Sequence, residues 1–192
     1  MCKKVEKFRE LNREIRNCRK CRLWKTRTHA LPGEGDISSR LMIVAQAPGY
    51  VEDREGRMFV GPSGKKLDEL LEGAGIARED IFMTNILRCM LPHYRRPKAD
   101  EIEACTPYLD REIDLVDPAV ISTLGYFPAR YIFEKYGIRN KLDFPEVCGK
   151  VFSVGGKKIL PLGHPAAMLY NSSIREGMMK NYRKLKRLLS SV

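Results

Sequence analysis

The sequence lacks any long hydrophobic run. No segment of the 192 residues approaches the roughly 18 consecutive apolar residues that a membrane-spanning helix requires. The first residues, Met-Cys-Lys-Lys-Val-Glu-Lys, have neither the apolar centre nor the small-residue cleavage site of a secretory leader. We therefore expect no membrane segment and a cytoplasmic location.

Internal repeats, low-complexity tracts and linker-like stretches are also absent from the sequence. The apolar share of 43% and the charged share of 31% are typical of a globular protein. A chain of this length buries a core of useful size without a second domain. We predict that residues 1–192 form a single domain.

Positive charge is concentrated at the two ends of the chain, whose net charge is +11. Residues 1–27 hold eleven Lys and Arg against three Glu, and residues 174–192 hold six against one, so the middle is slightly acidic. Clustered Lys and Arg favour a polyanion, because each phosphate that they neutralise releases counterions. The basic ends indicate a nucleic acid partner, although a solvated, thermally robust surface rich in Lys and Glu explains the same charges.

Short apolar runs alternate with amphipathic helical patterns along the chain. Each apolar run ends at Gly, Pro or a polar turn, as buried strands do. Alternating strands and helices predict an α/β fold, a three-layer α/β/α sandwich with a central, mainly parallel four-stranded sheet. The predicted strands are 41–45, 81–87, 119–124 and 158–162, and the predicted helices are 64–75, 100–115, 127–136 and 174–189.

Polar or Gly/Pro residues stand at the end of every predicted strand. Gln46 follows the first strand, Asn85 lies at the end of the second, Gly125 follows the third and His164 follows the fourth. Functional sites in open parallel sheets gather at the carboxyl ends of the strands. The sequence therefore predicts a functional site at this edge of the sheet.

Four of the six cysteines have a spacing typical of metal ligands. Cys18 and Cys21 form a Cys-x-x-Cys pair, and Cys89 and Cys105 follow with fifteen residues between them. A Cys-x-x-Cys turn directs two thiolates at one ion, and two further thiolates complete a set of four. Disulfides are the competing use, but a chain of this length without a leader rarely needs them. Spacing alone does not separate zinc from a [4Fe-4S] cluster.

These motifs, in this order, resemble those of the family 4 uracil-DNA glycosylases, thermostable repair enzymes with a [4Fe-4S] cluster. The resemblance runs nearly end to end. Any one motif is a weak signal, whereas the full set in matching strand contexts is a strong one. The matching residues are Cys18 and Cys21, Gln46-Ala47-Pro48-Gly49, Glu52-Asp53, Gly56-Arg57-Met58-Phe59-Val60-Gly61, Thr84-Asn85-Ile86-Leu87-Arg88-Cys89, Cys105-x-Pro107, Leu124-Gly125 and His164-Pro165-Ala166-Ala167.

One motif departs from the family pattern. The family usually has Gly-Glu before Ala-Pro-Gly, whereas this chain has Ala45-Gln46. Gln at the equivalent place is typical of the best-known glycosylase family, so the departure bears on rate and substrate range. The alternative is a related glycosylase that acts on hypoxanthine or other deaminated bases. His93 lies in a short loop without the basic insertion of a covalently trapping relative, and we interpret it as a surface histidine.

The resemblance implies a hydrolase of N-glycosyl bonds that acts in base excision repair. Such an enzyme flips uracil out of single- or double-stranded DNA and leaves an abasic site. It also implies that Cys18, Cys21, Cys89 and Cys105 hold a [4Fe-4S] cluster, with zinc as the runner-up, and that the cluster fastens the basic segment 1–27 to the sheet. A non-catalytic, metal-dependent nucleic-acid-binding protein is the alternative from a different class.

The resemblance assigns a role to each residue around the predicted pocket. Phe59 is the aromatic floor on which the base stacks. Asn85 donates to uracil O4 and accepts from N3–H, and Glu52 occupies the space of a 5-methyl group and so excludes thymine. His164 donates a hydrogen bond to uracil O2 as negative charge builds on the departing base.

Backbone N–H groups near Gln46 and Ala47 are expected to assist His164 in stabilising the departing base. Catalysis is therefore expected to rest on His164, Asn85 and Gln46. Ala47 stands where other glycosylase families have an Asp, so no general base is expected. We predict a dissociative path in which water adds late to an oxocarbenium-like sugar.

Two further segments are expected to contact the DNA. The apolar segment 166–170, which begins at Ala166, is a candidate wedge that enters the minor groove, with Met168 or Leu169 at its tip. Ordinary packing at the start of the last helix is the alternative. Ser63 and the N–H groups at the start of a helix suit a phosphate. We expect a monomer, and no motif commits the chain to a sliding-clamp contact.

The cluster prediction is tested by the metal content of the purified protein. We expect visible absorption together with about four iron and four sulfide per chain, because four thiolates ligate a [4Fe-4S] cluster. A colourless protein that contains zinc would contradict the iron-sulfur assignment and leave only a four-cysteine metal site.

Overall fold

The computed structural model describes residues 2–138 and 143–191. The strands are β1 (Glu34–Gly35), β2 (Leu41–Ala45), β3 (Ile81–Asn85), β4 (Val120–Leu124), β5 (Phe152–Val154) and β6 (Lys157–Leu162). The α-helices are α1 (Cys2–Arg16), α2 (Tyr50–Glu55), α3 (Pro62–Gly73), α4 (Ala99–Val116), α5 (Tyr126–Lys135), α6 (Phe144–Val147), α7 (Ala167–Tyr170) and α8 (Arg175–Ser190). Short 3₁₀ helices span Arg22–Lys25, Arg78–Asp80, Pro92–Tyr94 and Ser172–Ile174. No helix in the described ranges is long and apolar enough to cross a membrane.

The strands of the described ranges form one sheet in the order β1-β3-β2-β4-β6-β5. β2 pairs in parallel with β3 and β4, and β4 pairs in parallel with β6. The four predicted strands are thus confirmed as the parallel centre of the sheet. The antiparallel edge strands β1 and β5 were not predicted, because two and three residues are too few for a hydrophobic period to show.

Helices cover both faces of the sheet. Met42 and Val44 pack into one apolar cluster with residues of α1, α4 and α5. Ile43, between them, packs on the other side with residues of α3 and α8. Successive side chains of a strand point to opposite faces, so β2 contributes to both clusters. The predicted three-layer α/β/α sandwich is confirmed.

The predicted helices are present with bounds that differ by two residues or fewer, whereas the strand predicted over 81–87 ends at Asn85. The two basic ends of the chain lie on opposite faces of the sheet, because α1 packs on α4 and α8 packs on α3. The positive charges of the two ends are therefore carried on both faces of the sheet. That residues 1–192 form a single domain stays a prediction.

A buried ion pair joins α4 to the end of β3. Arg88 Nη2 lies 2.9 Å from Glu112 Oε2, and both side chains are almost completely removed from solvent. Thr84 Oγ1 donates to the same carboxylate oxygen at 2.5 Å, and Gly33 N–H donates to the other oxygen at 2.9 Å. Buried charges are tolerated only when they are paired and hydrogen-bonded. The network therefore fixes the chain on both sides of Asn85.

Replacing Glu112 with Ala should destabilise the protein strongly, because it leaves the Arg88 guanidinium buried without its partner. Breaking such a pair costs about 3–5 kcal/mol, which lowers the melting temperature of a chain of this size by on the order of 10 °C. Thermal denaturation followed by circular dichroism measures the shift.

Glu134→Ala is the matched control, since Glu134 pairs with Arg130 on the same kind of helix but both side chains are exposed. We expect this surface pair to contribute less than about 1 kcal/mol. Equal shifts for the two variants would show that the buried network does not hold the fold.

Candidate active site

A cavity of about 420 Å³ opens at the carboxyl edge of the parallel strands. It collects residues from the loops that follow β2, β3 and β6 and from the start of α3. All six residues predicted to contact the base line this one space. The lining residues are Gln46, Ala47, Pro48, Gly49, Tyr50, Val51, Glu52, Met58, Phe59, Pro62, Ser63, Asn85, Leu91, Tyr94, His164, Ala166, Leu169 and Tyr170.

Phe59 lines the cavity in a strained backbone conformation. Its φ of 53° lies in the left-handed region, which costs a bulky residue about 1–3 kcal/mol. Arg78 counteracts this strain, because its guanidinium donates to the Phe59 carbonyl at 3.2 Å and to the Met58 carbonyl at 2.8 Å. A Cβ on Gly64 would meet the Phe59 carbonyl oxygen at 1.8 Å, so only glycine fits there. The Phe59 backbone, which carries the ring, is thus held from two sides.

Asn85 ends β3 with its side chain only 2% exposed. Its Nδ2 donates to Met58 Sδ at 3.4 Å, and in the described ranges this is the sole hydrogen bond of the side chain. A thioether is a weak acceptor, so the amide keeps most of its hydrogen-bonding capacity for a ligand. Ile86 N–H donates to the Ala45 carbonyl at 2.9 Å and fixes this strand end against β2.

His164 follows β6, and its ring accepts a hydrogen bond at Nδ1. The donor is the Ala166 N–H, 3.2 Å away. Burial lowers the pKa of His164 below its ordinary value of 6.5, since the desolvated cation is disfavoured. A neutral ring that accepts at Nδ1 carries its proton at Nε2. The site therefore presents a neutral hydrogen-bond donor to the cavity.

Glu52 is buried beneath the loop before α3 rather than solvated. Its Oε1 accepts from Gly61 N–H at 2.7 Å. A Cβ on Gly49 would meet Glu52 Oε2 at 2.6 Å, so the carboxylate fills the space between two loops. Its neighbour Asp53 is also buried and accepts from the Thr28 N–H at 2.9 Å, which docks the amino-terminal segment to α2. Glu52 is placed to restrict the volume of the cavity.

Gln46 and Ala47 form the exit of β2. The Gln46 carbonyl accepts from Leu87 N–H at 2.9 Å, so the pairing of β2 with β3 continues past the strand ends. Both residues are half-buried and line the cavity. Ser63 is the second residue of α3, and it lines the same cavity at the helix N-terminus. An anion beside Ser63 would meet the unpaired N–H groups of that first turn.

The structure of the segment after His164 differs from one of the predicted DNA contacts. Met168 or Leu169 was expected at the tip of an exposed wedge, with ordinary packing as the alternative, but Met168 is 6% exposed and packs into the apolar cluster with Leu124 and Leu162. α7 is a single helical turn, so successive residues point about 100° apart and Met168 faces inward while Leu169 faces out. Ala166 is half-buried and supports His164 through its N–H. Leu169 is 44% exposed and lines the cavity.

The four predicted cysteine ligands are drawn from the end of α1, the following turn, the exit of β3 and the body of α4. Burial raises the pKa of Cys21 and Cys89, and that of Cys105 to about 12, and the Cys18 sulfur adds to each shift. These thiols are therefore close enough to interact electrostatically. No three His, Cys, Asp or Glu in the described ranges converge tightly enough to hold a single metal ion.

Each of the four sulfurs has a nitrogen donor beside it. Arg88 N–H donates to Cys105 at 3.2 Å, Arg27 Nη1 to Cys89 at 3.2 Å and Lys20 N–H to Cys18 at 3.5 Å. The Leu23 N–H bonds to Cys21 and lowers its pKa. Donors of this kind stabilise thiolates and tune iron-sulfur clusters. The donor set fits a four-thiolate centre.

Several residues of the site were not predicted from the sequence. Arg78 and Met58 support Phe59 and Asn85, but they act through the fold and left no local signal. Tyr50, Tyr94 and Tyr170 line the cavity mouth. Their signal was available, since each is an aromatic residue close to a predicted strand exit or in the open loop after Cys89. His93 is exposed and does not line the cavity, as expected for a surface histidine.

Comparison with known proteins agrees with this geometry. The family model of the uracil DNA glycosylase superfamily matches residues 32–189. A type-4 uracil-DNA glycosylase of Saccharolobus solfataricus is 45% identical over 93% of this chain and 84% of its own length. Type-4 enzymes of Sulfurisphaera tokodaii and Archaeoglobus fulgidus are 42% and 40% identical over 96% and 94% of this chain, and 86% and 92% of their own lengths.

The fold, the cavity at the sheet edge and the family model together define a member of the uracil DNA glycosylase superfamily. Within that superfamily, the near full-length similarity to the type-4 enzymes means that the chain belongs to the type-4 uracil-DNA glycosylases. The resemblance to family 4 is thus confirmed.

The protonation of His164 makes a prediction that nuclear magnetic resonance can check. We expect a titration midpoint below 6.5 and, above it, a neutral ring protonated at Nε2. The folded protein then binds fewer protons than the unfolded chain between the two pKa values. Because His164 takes up its proton first in the unfolded chain, the free energy of unfolding should decrease as the pH falls from about 6.5 towards the folded pKa. A midpoint above 6.5 or a proton at Nδ1 would contradict the assignment.

Proposed function

We propose that this protein hydrolyses the N-glycosidic bond between uracil and deoxyribose in DNA and leaves an abasic site for base excision repair. The observation that best supports this function is the convergence of Phe59, Asn85 and His164 on one cavity at the sheet edge. A nucleic-acid-binding protein without catalytic activity has no use for a buried amide, an aromatic ring and a neutral imidazole around a single space.

Recognition of the base is proposed to rest on Phe59 and Asn85. A uracil flipped into the cavity stacks on the Phe59 ring. Asn85 Nδ2 then donates to O4 and its Oδ1 accepts from N3–H. Cytosine has an amino group at position 4 and an acceptor at N3, so it presents the opposite pattern and leaves the buried amide unpaired. Glu52 fills the space that a 5-methyl group would need, so thymine is excluded sterically.

Bond cleavage is proposed to depend on stabilising negative charge on the departing base. As the C1′–N1 bond breaks, its electron pair moves onto the uracil ring and O2 becomes more negative. The Nε2–H of a neutral His164 donates to O2, and backbone N–H groups near Gln46 and Ala47 add further donors. A neutral donor suits this step, since it needs no proton transfer to the base.

The attacking water is proposed to add after the base has begun to leave. Glu52 is the sole acid among the described residues that line the cavity, and its Oε1 is already held by Gly61. No residue there is set to take a proton from water early in the reaction, which favours an oxocarbenium-like sugar. The added water releases its proton to solvent, and the uracil anion is protonated after it leaves.

Contacts to the rest of the DNA are proposed for two residues at the cavity edge. Leu169 is 44% exposed and lines the cavity, so it is placed to fill the gap that the flipped nucleotide leaves in the stack. Ser63 and the N-terminus of α3 are placed to bind a phosphate beside the flipped nucleotide.

Cys18, Cys21, Cys89 and Cys105 are proposed to hold a [4Fe-4S] cluster. When bound, the cluster supplies a structural crosslink rather than redox chemistry. The N–H donors at the four sulfurs support this proposal. Cys18 and Cys21 would then fasten α1 and the basic segment to β3 and α4.

The cleavage rates of active-site variants test the proposal in single-turnover assays on DNA containing uracil. Asn85→Ala and His164→Ala should each slow cleavage by about 10²–10³-fold, because each removes a preorganised hydrogen bond to the base. His93→Ala is the matched control, since this exposed histidine lies outside the cavity and should cleave at the wild-type rate.

The same assay should include duplexes that carry hypoxanthine, or thymine opposite guanine. Because Gln46 stands in place of the usual Glu, hypoxanthine is the alternative substrate to be tested. Faster cleavage of hypoxanthine than of uracil would overturn uracil as the main substrate. Wild-type rates for both Asn85→Ala and His164→Ala would overturn the assigned roles, and DNA binding without any abasic product would indicate a non-catalytic protein.

A further inference from the structure

Exposed aromatic rings are concentrated at the mouth of the cavity. Seven large apolar side chains of the described residues are exposed, and four of them line this cavity. Three of the four are tyrosines: Tyr50 is 58% exposed, Tyr94 77% and Tyr170 90%. Lining residues with this much exposure must lie at the rim. Clustered exposed apolar surface indicates a binding site rather than ordinary surface.

The three tyrosines reach the rim from separate parts of the chain. Tyr50 is the first residue of α2, Tyr94 ends the 3₁₀ helix after β3, and Tyr170 is the last residue of α7. No hydrogen bond or ring contact engages their side chains among residues 2–138 and 143–191. Packing within the protein therefore does not account for their convergence.

Tyr94 is held outward by an unusual backbone. Both His93 and Tyr94 have a φ of 53°, in the left-handed region that non-glycine residues rarely adopt. The Tyr94 N–H donates to the Leu91 carbonyl at 3.1 Å, and Leu91 is buried and anchors the loop. Strained residues in this region cluster at functional sites. The strained backbone of this loop holds the Tyr94 side chain in solvent at the cavity mouth.

Positive charge lies next to the rim. Arg96 and Lys98 are exposed in the same loop, and Arg95 beside them is paired with Glu101 at 2.5 Å. Proteins that bind single-stranded nucleic acid combine aromatic rings, on which bases stack, with basic residues that follow the phosphates. The tyrosines supply the rings and the loop supplies the charge.

We propose that Tyr50, Tyr94 and Tyr170 form a stacking rim that holds the unpaired bases next to the flipped uracil. This inference rests on the proposed function, because the rim surrounds the entrance that the uracil would use. Stacking needs an open base face, and in a duplex the neighbouring base pairs cover that face. The rim therefore favours uracil in single-stranded DNA over uracil in a duplex.

Binding to oligonucleotides tests the rim without cleavage. The probe is a single strand that contains 2′-fluoro-deoxyuridine, which resists hydrolysis, flanked by the fluorescent base 2-aminopurine. Tyr94→Ala and Tyr170→Ala should each raise the Kd on the order of tenfold and reduce the quenching of 2-aminopurine. Tyr94→Phe and Tyr170→Phe should bind as the wild type does, because the ring and not the hydroxyl stacks.

Tyr126→Ala is the matched control, since Tyr126 is also exposed but lies outside the cavity. Unchanged binding and quenching in Tyr94→Ala and Tyr170→Ala would overturn the rim, as would an equal loss of affinity for the matching duplex. Uracil excision by the wild type, measured in parallel on unmodified DNA, separates the two proposals. If the wild type excises uracil but the variants bind as the wild type does, the stacking rim alone is overturned. If the wild type does not excise uracil, the proposed function is overturned.

Discussion

The buried pair of Arg88 and Glu112 is the interaction on which the rest of the site depends. Its carboxylate gathers hydrogen bonds from Thr84, one residue before Asn85, and from the segment that precedes β2. The backbone of Arg88 also donates to Cys105 and leads directly into Cys89. One desolvated charge pair thus joins the strand end that carries Asn85, the proposed reader of the base, to two of the proposed cluster ligands. The hydrogen bonds that a buried pair requires leave the strand end little freedom to move.

At the other side of the cavity, hydrogen bonds to neighbouring residues hold the strained backbone of Phe59 in place. Phe59 adopts a left-handed backbone, and Arg78 clamps the two carbonyls of residues 58 and 59 while pairing with Asp68. Glu52 ties the loop before α3 to α2. Phe59, Asn85 and His164 are each held by a different contact in the absence of substrate: Arg78 at the Phe59 backbone, Met58 at the Asn85 amide and the Ala166 N–H at the His164 ring. Preorganised groups of this kind stabilise developing charge without the cost of reorientation.

Much of this arrangement could be predicted from the sequence, because strand exits in a parallel sheet meet at one edge. The pattern of four apolar runs predicted the strands whose ends carry Gln46, Asn85 and His164. The inward turn of Met168 could not be predicted, since one helical turn of four residues gives no periodicity to orient it. The same holds for Arg78 and Met58, whose roles come from contacts across the fold. The short edge strands β1 and β5 likewise depend on tertiary structure.

We expect the fixed groups at the sheet edge to bind uracil before any bond is broken. A crystal structure of the protein with free uracil bound tests this expectation. The uracil ring should stack on Phe59, with Asn85 hydrogen-bonded to O4 and N3–H and His164 Nε2 within about 3 Å of O2. Uracil bound elsewhere, or bound in this cavity with the Asn85 amide turned away from its edge, would contradict the proposed roles of these residues.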